Sequence, residues 1–350
     1  MKINIKNIKV KSICATLFIS LFLSCNNGIE ELEKKNQFLN SIANLGKGFL
    51  SVFTALGDMV TDTLGIKTDT TKDAIGKYFT NIATTMKSVK EQLNAIMAEN
   101  GNYAKVKEKV NEFIKTIEKI EEGAKTAAGG ARGSDAIGGA TKSGQDAASA
   151  KKDSVNLIVN GLKAIVGVVL DSNEGNPTFD RTTGSEKVNI GKIFSGVKGS
   201  DGKEVQAAAA NASIGAVSGA DILKAISKSG EATSSVAINT ATDAASVAAC
   251  TTGGAQTLSS SIQKDAVIAA GIALRAMAEG GKFASDTTDA AKAADAINGA
   301  AASAVNKTLN TLVIAIRNTV DGGLKTISET LTAVKQGDVS AETSESVATK

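Results

Sequence analysis

Side chains that could do chemistry are scarce in this 350-residue chain, and their spacing fits no active site. The absence of histidine removes His-based triads, an imidazole base near neutral pH and every zinc site that uses imidazole. The run from Gly184 to Gly191-Lys192-Ile193 places a glycine ahead of Gly-Lys, as a phosphate loop does. Its spacing is too long, and Ile193 stands where a magnesium-binding hydroxyl is needed. The stretch beginning Asp171-Ser172-Asn173-Glu174 starts like a calcium loop, but Thr182 takes the place of the closing glutamate, so an Asx-rich turn is expected. The pairs Glu30-Glu31 and Glu121-Glu122 lie beside lysines and read as solvated helix faces. Lys105, Lys107, Lys109, Lys115 and Lys119 alternate with Glu108, Glu112, Glu118 and Glu121, a mixed face poorly suited to heparin or nucleic acid. Serine and threonine are abundant, but no general base accompanies any of them. The reading is a protein that is not an enzyme, with no catalytic group, metal or cofactor.

Three cysteines remain: Cys14, Cys25 and Cys250. Lys2, Lys6, Lys9 and Lys11 precede an apolar stretch from Ile13 to Leu23, the n-region and h-region of an export signal over residues 1–24. That stretch is shorter than the roughly 20 residues a spanning helix needs. Leu21-Phe22-Leu23-Ser24-Cys25 resembles the lipobox of bacterial lipoproteins. Phe22 departs from the usual leucine, a looseness similar to spirochaetal lipoboxes. The resemblance implies cleavage between Ser24 and Cys25, with an S-diacylglycerol and an N-palmitoyl chain on Cys25 holding the protein to the outer membrane. Each buried CH₂ contributes about 0.8 kcal/mol, so two or three chains hold where one does so only marginally. Cys14 leaves with the signal. Cys250 is then the one spare thiol, without an internal disulfide partner, and reads as a small buried apolar residue. The four lysines also account for the apparent basicity, since 35 basic residues then face 36 acidic ones. Such a balance implies no nucleic-acid partner.

The elements that follow a short tether, residues 25–28, are helical. Phe38, Ile42, Leu45, Phe49, Val52, Leu56 and Met59 recur at alternating four- and three-residue spacing. So do Ile75, Phe79, Ile82, Met86, Val89, Leu93 and Ile96, and then Tyr103, Val106, Val110, Phe113, Ile117 and Ile120, with Asn102 placed to cap the third helix. At the other end Leu309, Leu312, Ile316, Val320, Leu324, Ile327, Leu331 and Val334 form one stripe, which Gly322-Gly323 is expected to loosen or kink. Each stripe puts its apolar side chains on one face, so these segments are expected to pack as a bundle at shallow angles. Narrow stripes of this length also leave a homodimer through a coiled-coil-like face open.

Between them, roughly residues 123–304, the texture changes to Gly, Ala, Ser and Thr, as in Ala207 to Ala210 and Ala290 to Ala304. Small side chains bury little area, so these stretches are expected to be locally mobile and tolerant of substitution. Val155 to Leu170, the most apolar stretch after Cys25, reads as a buried central helix. Residues 171–204 contain the only proline, Pro177, and read as a long surface loop, with Val188-Asn189-Ile190 and Lys192-Ile193-Phe194 as candidate short strands. The tail, residues 336–350, is polar and is expected to fray. The expected fold is all-α: an elongated bundle of N- and C-terminal helices forming one helical domain over residues 29–335, with a Gly/Ala-rich middle and loops.

The order Phe49-Leu50-Ser51-Val52-Phe53, Asp62 to Gly65, Ile75-Gly76-Lys77-Tyr78-Phe79, Ser213 to Leu223 and Leu309 to Val320 resembles the variable large proteins of relapsing-fever Borrelia across the whole chain. It is also similar to the variable-major-protein-like surface antigen of Lyme-disease spirochaetes. The resemblance implies a surface-exposed lipoprotein of the cell outer membrane whose gene is exchanged among silent copies, so that the population escapes host antibodies. It implies, too, that both chain ends lie near the membrane and the variable loops lie far from it. The alternative is a surface adhesin or complement-factor-binding lipoprotein, using the 171–204 segment or an exposed helix face on a host matrix or serum protein. A lipoprotein enzyme or periplasmic transport component ranks below both, for want of catalytic groups and of a ligand fingerprint.

Overall fold

The computed structural model describes residues 29–61, 65–99, 103–288 and 290–334. Ser24, Cys25, the export signal, the tether, Asn102 and the 336–350 tail lie outside them. Among the described residues there are ten α-helices and no strand. Four long helices make the bundle: α1 (Ile29–Thr61), α2 (Lys72–Glu99), α3 (Ala104–Gly130) and α10 (Ala290–Thr332). Helix α4 (Lys152–Val169) packs along α3. The head is built from α5 (Gly191–Ser195), α6 (Glu204–Ala216), α7 (Gly219–Lys228), α8 (Ala244–Ala248) and α9 (Asp265–Met277), with 3₁₀ turns at Ser185–Ile190, Ile238–Thr240 and Ser260–Ile262. No helix among the described residues is long and apolar enough to cross a membrane.

The stripes are the bundle core. Every apolar residue named for α2 and α3 is buried, as are Leu309 to Leu331 of the α10 stripe, whereas Val334 is half-buried. A fully buried Leu, Ile or Phe contributes about 1.5–3 kcal/mol, so these faces fix how the four helices meet. In α1, Phe38 and Ile42 are buried, and the side chains from Leu45 to Met59 in that stripe lie outside the described set. Gly322-Gly323 does not break α10. Gly323 makes room for a ring: an ideal Cβ there would fall 2.2 Å from Phe113 Cε2. Helix α3 starts at Tyr103, which offers no side-chain cap.

The contacts also give the direction of each helix. Tyr103, whose hydroxyl is raised by burial and then by the charge of Glu31, places the start of α1 beside the start of α3. Tyr78 Oη donates to Leu309 O at 3.2 Å, and Gly323 faces Phe113. Helix α10 therefore descends toward the level of Tyr103, where α1 begins, and α1 packs against α10.

Several expectations for the middle change. Val188-Asn189-Ile190 and Lys192-Ile193-Phe194 are not strands but fall in a 3₁₀ turn and in α5. Thr71 pairs with Ala136, Gln145 with Ser285 and Ala148 with Lys282 in isolated antiparallel bridges among the described residues. Ile190, Ile193 and Phe194 are buried, so the 171–204 segment is a surface loop only in its first half and again near Lys198 to Ser200. Helix α4 is one-faced, with Asn160 and Lys163 exposed. The central buried helix is α9, which packs against α2, α4, α6, α7, α8 and α10 and is buried almost throughout, as its all-round small and apolar sequence requires.

Nor are the small-residue stretches loose. An ideal Cβ on Gly161 would lie 2.4 Å from Gly123 O, and one on Gly130 would lie 2.3 Å from Ser154 O. Ala293, Ala300, Ala301 and Ala304 are buried along the first half of α10. Small side chains here gain contact by close backbone approach, which offsets their small individual area.

Candidate functional site

Helix α9 carries one cation, Arg275, inside the head. The side chain is fully buried, and main-chain carbonyls take its donors. Nε donates to Ala248 O at 2.9 Å, and Nη2 to Cys250 O at 3.1 Å and Val247 O at 3.3 Å. Nη1 donates to Phe194 O and, at 3.4 Å, to Lys282 O. The guanidinium also lies 5.1 Å from the Phe194 ring centroid and donates to Cys250 Sγ at 3.0 Å. Such a charge is tolerable only because its donors are filled. It joins α5, the end of α8 and the Lys282 segment to α9.

At the other end of α9, Asp265 is fully buried. Its Oδ2 accepts the main-chain N–H of Arg181 and Thr182, each at 2.7 Å, and Lys187 Nζ lies 2.7 Å from Oδ1. Burial would raise this carboxyl, but Lys187, Thr182 and the two amides hold it at about 2. Lys72, also fully buried, donates to two carbonyls in the last turn of α9.

The exposed loops hang from similar contacts. Asn156 of α4 bonds Ala232 twice, Nδ2 donating to Ala232 O at 3.2 Å and Ala232 N donating to Oδ1 at 2.7 Å. Asn298 of α10 does the same with Ala140, at 3.0 and 2.8 Å. Lys224 donates to Asp171 O at 2.8 Å, and Lys307 to Ile214 O and Val217 O at 2.7 and 2.8 Å. Between these points the side chains of Ser172 to Glu174, Thr183, Lys198, Glu231, Thr233, Ser234 and Thr252 are exposed.

The residues singled out for chemistry are not brought together. Lys192 lies 3.8 Å from Asp201, and the Gly184 to Ile193 run is helical, so no phosphate cradle forms. In the calcium-like stretch Glu174 accepts from Asp171 N at 2.8 Å and the Lys224 ammonium occupies the Asp171 carbonyl. Glu122 is exposed, but Glu121 is not on a solvated face: it is buried between Lys90, at 2.9 Å, and Lys125. Burial raises its carboxyl, and the two ammonium groups outweigh that and lower it. Cys250 is a buried free thiol. No group of three or more His, Cys, Asp or Glu side chains that could hold a metal occurs among the described residues. Arg275 and Asp265 went unnoticed in the sequence, although a lone cation inside Asp265 to Met277 was a visible signal. Lys72 and Asn156 gave none.

A loop-bearing head on a helical bundle has known relatives. The family model described as Borrelia lipoprotein matches residues 49–331. The chain is 50% identical to variable large protein 4 of Borrelia hermsii over 341 residues, 95% of this chain and 96% of that one. It is 52% identical to variable large protein 17 of the same organism over 339 residues, 95% of each. The crystal structure of the Lyme disease variable surface antigen VlsE of Borrelia burgdorferi superposes with a TM-score of 0.65 at 31% identity, covering 85% of this chain and 99% of that one.

Proposed function

The chain belongs to the Borrelia lipoprotein family, and from that premise we propose that it is a non-catalytic surface antigen undergoing antigenic variation. The export signal is cleaved between Ser24 and Cys25, and acyl chains on Cys25 hold the protein at the cell outer membrane. Its working partners are host antibodies, which bind the exposed loops of one copy and fail to bind those of the next. One observation carries this reading. The start of α1 lies beside Tyr103 and α10 runs back toward that level, while the exposed loops belong to the head built around α9. A tether a few residues before Ile29 thus leaves the head on the far side of the bundle.

Protease treatment of intact cells with peptide mapping tests it. Peptides from the 171–184 and 230–240 segments are expected first, and peptides from α1 and the end of α10 last. Release of no head peptide from intact cells would end the reading.

A further inference from the structure

We propose that buried and half-buried polar side chains in and beside the head form a fixed positioning frame that holds the exposed loops by their main chain, so that exposed loop side chains can be exchanged without disturbing the frame. The inference rests on the antigen reading above and says which residues make exchange physically affordable. Every residue has a carbonyl and every residue but proline an N–H, so a loop held by these groups keeps its fastening whatever side chain it carries. A loop held by side chain to side chain needs two matched changes for every exchange.

The frame consists of Arg275, Asp265, Asn156, Asn298, Lys224 and Lys307. Arg275 holds five carbonyl oxygens, those of Phe194, Val247, Ala248, Cys250 and Lys282. Its contacts with the Phe194 ring and Cys250 Sγ are the side-chain exceptions, and both partners are buried, outside the exposed set. Asp265 takes the amides of Arg181 and Thr182; its side-chain partners, the Thr182 hydroxyl and the Lys187 ammonium, are half-buried, and the exposed Arg181 side chain stays out of the fastening. Asn156 and Asn298 each imitate a neighbouring strand, giving one donor and one acceptor to a single loop residue. Around Ala232, Ala140 and Thr182 the held residue has exposed neighbours, whereas the carbonyls that Arg275 holds belong to the buried segments from which the loops depart. Ala232 is buried between the exposed Glu231 and Thr233, and Ala140 is followed by the exposed Thr141, Lys142 and Ser143. Lys224 and Lys307 fasten the entrance to the 171–184 loop and the turn after α6 in the same way.

The test compares two changes in the full-length protein. One variant exchanges exposed loop side chains together: Arg181→Glu, Thr183→Lys, Glu231→Lys, Thr233→Glu and Ser234→Lys. The other removes one frame residue, Asn156→Ala, chosen because Arg275→Met risks not folding at all. Thermal melting of the first is expected within about 3 °C of the parent. In the second, hydrogen exchange at the Ala232 amide is expected to speed up roughly tenfold, with amides of α2 and α3 unchanged. A loop variant that melts much earlier than the parent would overturn the inference, and so would an Ala232 amide indifferent to Asn156. Neither readout involves antibody or location, so failure in the shaving experiment and failure here are separate results.

Discussion

The ammonium of Lys72 lies 3.0 Å from the main-chain carbonyl oxygen of Arg275 and 2.6 Å from that of Ala276, so the first residue of α2 closes the last turn of α9. A cation at a helix C-terminus meets the negative end of the macrodipole and fills carbonyls the helix cannot satisfy. The bundle and the head are thereby joined at a fully buried point.

That junction responds to pH. Burial lowers the Lys72 pKa to about 7; Asp135 opposes the shift, and Arg275 and Lys282 add to it. The unfolded chain keeps a lysine near 10.4. Between about 7 and 10.4 the unfolded state holds more protons, so this residue's contribution makes stability rise with pH through that window and level off below it. Urea unfolding from pH 6 to 10 should show the rise, and Lys72→Met should flatten it. Identical slopes in the two proteins would refute the assignment.

Acid acts on Asp265. Its folded pKa of about 2 lies below the ordinary aspartate value near 3.9, so its stabilisation is present above about 4 and is lost as pH falls toward 2. Asp265→Asn should cost about 1–3 kcal/mol at neutral pH, because the two amides and Lys187 lose a charged acceptor. The gap from the parent should narrow below pH 4, as measured by denaturant midpoints.

Two glycine substitutions should go in opposite directions. Gly161→Ala forces a Cβ to 2.4 Å from Gly123 O and 2.6 Å from Ala127 N, backbone that cannot swing away, and should destabilise by about 1–3 kcal/mol. Gly167→Ala, on the same helix with nothing within 4 Å of its Cβ, should stabilise by roughly 0.5–1 kcal/mol. Calorimetry reads both, and equal signs would show that the α3–α4 contact is not as close as described.

Detergent phase separation examines the anchor. Cys25→Ser should move the protein from the detergent phase to the aqueous phase and leave a chain that melts at the parent temperature. Retention in the detergent phase would mean that something other than acyl chains on Cys25 holds it.

The bundle was readable in the sequence because its signal is periodic. Ile75 to Ile96 and Leu309 to Leu331 repeat at helical spacing over many turns, and a stripe of that length has one way to be buried. The head was not readable, for two reasons. Helix α9 is apolar all round, so its sequence has no polar face to give it a period. The loops are fastened by side chain to main chain, and a carbonyl at Ala232 or Phe194 leaves no trace in residue type. Glu121 was misread for a third reason: Lys90, which covers it, comes from another helix.

The course of α10 back toward the level at which α1 begins also bears on how many copies behave together. An attachment at Cys25, as proposed, would stand every molecule the same way up, and a dense stand of them would become a bristle carpet whose tips are all loop. A neighbouring membrane protein shorter than the bristles would then be shaded by the exposed loops.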